Sequence, residues 1–195
     1  MNPHFIFNSL NSIQQYILKG EMDNANKYLS KFSKLIRLVL QYSEYNFISL
    51  DAEINMLQLY LSVEKTRFGN SFEYKILIED DLELEEIKIP NLMIQPFVEN
   101  AIWHGLMHKT GDRKIDIVFH LKNNDSIVCV VTDNGIGRGK ANEIKNARPL
   151  AINHESKGMQ LVKDKIDVLK HQFKSEISIE IYDITDMEGE VCGTK

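Results

Sequence analysis

The feature that most limits the possible folds is a change in the period of the apolar residues part-way along the chain. Through residue 68 they recur every three or four positions: Ala25, Leu29, Phe32, Ile36 and Val39 or Leu40 in one stretch, Leu50, Ile54, Leu57 and Leu61 in the next. That spacing is the stripe of an amphipathic helix. From Phe72 the pattern becomes alternation, with Phe72, Tyr74, Ile76 and Ile78 separated by mostly polar neighbours, the period of a half-buried strand. A helical segment over residues 1–69 followed by a sheet-bearing domain over 70–195 is therefore expected.

Breaks at Lys19-Gly20-Glu21 and around Ser43 to Ser49 divide the first part into three predicted helices. The third opens with Ser49-Leu50-Asp51-Ala52-Glu53, where Ser49 can cap and the acids suit the positive helix start; it runs out at Phe68-Gly69-Asn70. Further on, Pro90 is read as opening a helix through Leu92, Met93, Pro96, Phe97, Asn100 and Ala101 that ends by Gly105. Pro96 fits only near the start of such a helix. Lys114 to Leu121 and Ser126 to Thr132, joined by Lys122-Asn123-Asn124-Asp125, read as a hairpin. Asn134 to Lys157 is long, polar and aperiodic, the pattern of a functional lid or a disordered loop. Met159 to Phe173 returns to helical spacing, and Ile177, Ile179 and Ile181 mark a last strand. The expected class is α+β: a helical segment, then a two-layer α/β sandwich with helices on one face of a largely antiparallel sheet.

Function classes narrow by exclusion. The net charge is −5, and Lys and Arg form no cluster of the kind phosphate neutralisation needs, which argues against nucleic acid. The chain holds no long apolar run and no basic-then-apolar leader, so this segment is expected to make no membrane contact. Cys129 and Cys192 form no CxxC pair, and Cys129 lies in the apolar run Ile127 to Val131, which fits a reducing, cytoplasmic setting.

Three short segments carry chemistry. Glu99-Asn100-Ala101-Ile102-Trp103-His104-Gly105 sets an acid and an amide on an otherwise apolar helix, and the Asn100 carbonyl oxygen suits a hard cation such as Mg²⁺. The alternative is a pair of helix-end side chains bonded to nearby backbone. Asp133-Asn134-Gly135-Ile136-Gly137 follows a strand, so Asp133 can accept a hydrogen bond from an exocyclic amine while the glycines let backbone approach a ligand. The same string also marks an ordinary turn. Ser156-Lys157-Gly158-Met159 stands at a helix entry, where free N–H groups favour a phosphate, or where the chain simply enters a helix.

In order and spacing these segments resemble the nucleotide-binding (Bergerat-type) fold shared by histidine kinases, DNA gyrase, a class of ATP-dependent chaperones and MutL. The resemblance implies that Asn100 is the Mg²⁺ ligand, that Asp133 reads the adenine amine, and that Gly135, Gly137 and Gly158 flank an ATP lid. Asn2-Pro3-His4-Phe5-Ile6-Phe7-Asn8-Ser9-Leu10-Asn11 resembles the phosphoacceptor segment of LytS and YehU-like sensor histidine kinases, which makes His4 the phosphorylated residue. Leu35-Ile36-Arg37, Leu50-Asp51-Ala52-Glu53, Tyr60-Leu61, Glu64-Lys65-Thr66-Arg67-Phe68-Gly69 and Ile89-Pro90 to Leu106 extend the likeness over nearly the whole chain. It implies ATP and Mg²⁺ as cofactors, a homodimeric parent protein anchored in the bacterial inner membrane, and a response regulator of LytTR type as partner. His104 matches a family position beside the nucleotide, and Glu99 is the nearest candidate for a general base.

Some positions depart from that pattern. Trp103 stands where many relatives have Lys, so Arg138, Lys140 and Lys157 become the candidates for a cation near the phosphates. Phe5 stands where other histidine kinases place an acid after the phosphoacceptor. His104 and His108 are four apart, but no further acid or Cys completes a metal set. A gyrase-type hydrolase would need an acid where this chain has Pro96. A second reading is a degenerate regulatory module that binds nucleotide without kinase turnover. The residues before Asn2-Pro3-His4 and the closing Gly193-Thr194-Lys195 both fall inside family motifs, so the chain is read as a piece of a longer protein. A piece that starts so close to His4 is expected to autophosphorylate weakly while retaining nucleotide binding.

Overall fold

The computed structural model describes residues 3–122, 126–146, 162, 164–170 and 177–195. Three helices, α1 (Pro3–Leu18), α2 (Met22–Ser43) and α3 (Leu50–Phe68), precede the main sheet, as the apolar periods require. Local chemistry sets their ends. Gly20, between α1 and α2, takes φ 76, and Gly69 closes α3 at φ 67, both in the left-handed region that favours glycine. Ser49 caps α3, its Oγ accepting from the Ala52 N–H at 3.2 Å.

The chain divides into two compact units: residues 1–95 with 118–129, and residues 96–117 with 130–195. A 3₁₀ turn, Gly69–Ser71, hands α3 over to β2 (Phe72–Ile78).

In the first unit α3 is apolar on most of its circumference, burying Leu50, Ile54, Met56, Leu57, Tyr60, Leu61 and Val63, as a central helix must. Phe5 packs on Phe32 and Tyr60 with ring centroids 6.0 and 4.9 Å away, tying the start of α1 to α2 and α3. The face that α2 buries is Ala25, Tyr28, Phe32, Leu35 and Val39. It shares Ala25, Phe32 and Val39 with the expected stripe, but Leu29 is exposed. Tyr28 replaces Leu29 because its ring takes the buried place and its hydroxyl reaches Ser9 Oγ at 3.3 Å. That burial raises the Tyr28 hydroxyl above its ordinary pKa. β1 (Phe47–Ser49) pairs antiparallel with β3 (Lys88–Pro90).

β3 corrects one expectation. Pro90 does not open a helix; it ends a strand, and α4 (Gln95–Asn100) begins later, with Pro96 in its first turn where a missing N–H is harmless. A π-helix, Ala101–Leu106, follows directly.

The larger sheet has the order β2, β4 (Arg113–Lys122), β5 (Ser126–Asp133), β7 (Val191–Thr194), β6 (Asp183–Thr185). Its α+β character matches the expected class. β4 buries Ile115, Ile117 and Phe119 on one face by alternation. In the second unit β7 runs antiparallel to both β5 and β6. The expected strand at Ile177, Ile179 and Ile181 is irregular. Among the described residues the ladder with β7 reaches only to Tyr182, which exchanges both backbone hydrogen bonds with Lys195 at 2.8 Å. The aperiodic stretch after Asn134 is not all loop, since α5 (Gly137–Asn146) occupies its beginning. Residues 164–170 are helical, within the expected Met159 to Phe173 helix. Among the described residues no helix is long and apolar enough to cross a membrane.

Candidate functional site

The second unit gathers two of the three chemistry-bearing segments. β5 delivers Asp133 at its end, paired with Thr194 of β7, and only 5% of Asp133 is exposed. Its Oδ1 accepts the Gly135 N–H at 2.7 Å, and the Thr194 backbone N–H is near enough to favour the ionised carboxylate. Two glycines make this burial possible. A Cβ on Gly105 would stand 2.7 Å from Asp133 Oδ1, and one on Gly135 would collide with the Gly105 backbone. The Ile136 N–H donates to the Gly105 carbonyl at 3.2 Å, so the loop after β5 lies directly on the π-helix. Asn134 braces that loop, accepting from the Lys114 N–H at 2.8 Å and donating to the Asp112 carbonyl at 3.2 Å.

Burial is the main influence on Asp133 and raises its pKa from the ordinary 3.8 to about 6; the hydrogen bond from Gly135, the charge of Lys109 and the hydrogen bond from Thr194 oppose it, in that order. A buried carboxylate with a raised pKa, bounded by glycine backbone, is the arrangement expected of a ligand site more than of a structural turn.

The opposite wall comes from α4 and the π-helix. The Met107 N–H donates to the Ile102 carbonyl at 2.8 Å, the five-residue step of π geometry, which clusters at functional sites. Arg113 closes this helix, its Nε bonding the Leu106 carbonyl at 2.9 Å and its Nη2 the Lys109 carbonyl at 2.7 Å. Asn100 lies half-buried at the junction of α4 and the π-helix, and among the described residues its side-chain amide has no hydrogen-bond partner. An amide carbonyl so placed fits a hard cation. Glu99, Trp103 and His104 are half-buried on the same stretch.

The other expected residues fall elsewhere. Gly137 begins α5 at φ 74, against Val191. Arg138 is held by Asp183 through two hydrogen bonds of 2.9 Å, and the guanidinium keeps the Asp183 carboxyl below its usual range. Lys140 stands 3.6 Å from Glu190. Lys157 and Gly158 lie outside the described residues. The cation beside Asp133 is instead Lys109, whose Nζ donates to the Asn134 carbonyl. Sequence reasoning passed over it because nothing local marks it; the one signal was a Lys soon after Gly105. His4 belongs to α1, in the first unit, directly before the anchoring Phe5.

Residues 1–72 match a family model described as histidine kinase. The sensor protein LytS of Staphylococcus haemolyticus is 36% identical over 137 residues, which is 70% of this chain and 23% of that protein. LytS of Bacillus subtilis is 36% identical over 137 residues, 70% of this chain and 22% of that protein. The sensor histidine kinase/phosphatase LytS of Staphylococcus aureus is 32% identical over 140 residues, covering 72% and 24%. The chain thus spans about a quarter of the length of the curated relatives it matches. A solved histidine kinase domain from the Erythrobacter litoralis EL346 blue-light activated kinase overlays 100% of this chain and 85% of that one, at 13% identity and a TM-score of 0.47, too low to bear on function. The chain is thus similar to the histidine kinase family over its N-terminal helices and to LytS sensor kinases over 70% of its length.

Proposed function

We propose that this chain is the kinase core of its parent protein: it binds Mg·ATP in the unit containing Asp133, and transfers the γ-phosphoryl group to an imidazole nitrogen of His4. The observation that carries the reading is Asp133, a buried carboxylate against the backbone of Gly105 and Gly135 where any side chain would collide. One oxygen is already occupied by Gly135. The carboxylate remains an acceptor for the adenine amine, with the glycine backbone lying directly against it.

Asn100 would hold the Mg²⁺, which when bound offsets the charge of the phosphates. Lys109 supplies the positive charge near the base. Arg138 would have to leave Asp183 to reach a phosphate, and Lys157 and Gly158 remain the lid candidates. Neutral imidazole is nucleophilic and abundant near neutral pH. As the bond from His4 nitrogen to the γ-phosphorus forms, the bond from phosphorus to the ADP oxygen breaks, and Glu99 is the candidate to take the imidazole proton. His4 would be delivered in cis or within a homodimer, and the phosphoryl group would pass on to a response regulator aspartate, with a LytTR-type regulator as the expected partner. The parent protein is proposed to be membrane-anchored.

The test is incubation with γ-labelled ATP of this chain extended upstream, beside its His4→Ala variant. Acid-labile label in the former alone is the expected result. Label in both removes His4 from the mechanism. Label in neither, with nucleotide still bound, makes the chain a regulatory module.

A further inference from the structure

The chain carries a net charge of −5, yet α2 holds Lys27, Lys31, Lys34 and Arg37 against the single acid Asp23. Lys27, Lys31 and Lys34, continued by Leu38 and Tyr42, recur every three or four residues, so they form one row along the helix, beside the face it buries. The four bases are exposed, and among the described residues none of them makes an ion pair or a side-chain hydrogen bond. Like charges at these spacings weaken a helix, so the stability of α2 does not account for the row.

The row runs into a groove of about 730 Å³ formed by α2, α3 and β2, all within the first compact unit. Lys34, Leu38 and Tyr42 line it from α2, Gln58 from α3, and Tyr74 and Ile76 from β2. No acid lines it, and the Asp51 carboxylate, on the same helix as Gln58, accepts from Asn55 Nδ2 at 2.8 Å. The Tyr42 and Tyr74 hydroxyls and the Gln58 amide have no hydrogen-bond partner among the described residues. Lys65 Nζ stands 6.0 Å from the centre of the Tyr74 ring, which adds a further cation beside this wall.

We propose that the groove and the lysine row leading into it bind an extended acidic segment of a partner protein. From Lys27 to Tyr42 a helix rises about 22 Å at about 1.5 Å per residue. Roughly seven residues of extended peptide, at about 3.3 Å each, cover that distance. Carboxylates of the segment meet the lysines, its backbone carbonyls accept from the tyrosine hydroxyls and the Gln58 amide, and Leu38 and Ile76 give it apolar contact. A membrane or a nucleic acid would bring its charge over a wide face, which the net negative charge of the chain opposes, whereas a single segment meets only the row and the groove. The site is independent of the one proposed for nucleotide.

The probe is fluorescein-labelled heptaglutamate, its binding to the intact chain followed by fluorescence anisotropy at low salt. Reversing the row with Lys27→Glu, Lys31→Glu and Lys34→Glu together should weaken binding by at least about tenfold. The charge-matched reversal of three other exposed lysines, by Lys19→Glu, Lys88→Glu and Lys170→Glu, should change it by less than about threefold. Gln58→Ala and Tyr74→Phe should each cost about three- to tenfold, which attraction to the lysines alone would not produce. The proposal is overturned if the wild-type chain binds no peptide, if both triple reversals act equally, or if the two groove variants bind like wild type. Tighter, row-dependent binding to phosphatidylserine vesicles or to single-stranded RNA than to the peptide also overturns it. Should the row reversal not fold, Lys34→Glu alone, beside Gln58→Ala, carries the same comparison.

Discussion

Replacing Asp133 with Asn should make the free protein more stable while removing the nucleotide affinity proposed for it. The rise of the carboxyl from 3.8 to about 6 means that holding Asp133 ionised costs the fold on the order of 3 kcal/mol, at about 1.4 kcal/mol per unit. The sign follows from the direction of the rise. A carboxyl whose folded pKa lies above its unfolded value binds its proton more tightly when folded, so stability falls as pH climbs past 3.8 and the loss is complete above about 6. Asn carries no such cost and keeps an oxygen for the Gly135 N–H. Its NH₂ meets Lys109 where a carboxylate stood, which returns part of the gain, so a net stabilisation of about 1–2 kcal/mol is expected at pH 8. Urea unfolding of both proteins at pH 8 and pH 4.5 reads the effect, and the advantage of the variant should shrink by about 2 kcal/mol at the lower pH. Isothermal titration with ADP should show at least a tenfold loss, since an amide donor then faces the adenine amine. A variant equally destabilised at both pH values would refute the reasoning, because Asp133 would then be a structural acceptor and not a carboxylate held ionised for a ligand.

Other expectations follow from the same contacts. Gly105→Ala places a methyl group against Asp133 Oδ1, so about 1–3 kcal/mol of stability should be lost in thermal unfolding, and ADP binding with it. Phe5→Ala should cost about 3–5 kcal/mol through the lost contacts with Phe32 and Tyr60. The exposed Phe7, changed to Ala, should alter stability by no more than about 0.5 kcal/mol, and equal effects would deny Phe5 its anchoring place. Burial pushes the Cys129 thiol up to about 12, so at pH 8 iodoacetamide should modify it far more slowly in the folded chain than in urea, as mass spectrometry of the digested protein would show.

What local chemistry decides was legible in the sequence. Periods of three to four and of two located the helices and the central strands, while Ser49, Gly20 and Gly69 marked helix ends, because caps and left-handed turns act within a few residues of themselves. Asp133, Gly135 and Asn100 were likewise singled out from short strings, and the structure places Asp133 and Gly135 together against Gly105. The rest depended on neighbours distant in sequence. Pro90 reads as a helix opener until β1 offers it a strand partner, and Ile177, Ile179 and Ile181 alternate like a strand but join no ladder among the described residues. Nothing in the apolar pattern of α2 chooses Tyr28 over Leu29; the Ser9 hydroxyl on another helix does. Arg138 is held by Asp183, far along the chain, and the charge beside Asp133 is Lys109, neither of which a local string announces. The sequence by itself determined the three N-terminal helices and the central strands and offered candidates for a nucleotide site. Tertiary structure alone decided which of them meet, because a strand, an ion pair and a buried carboxylate each exist only when a second segment supplies the partner.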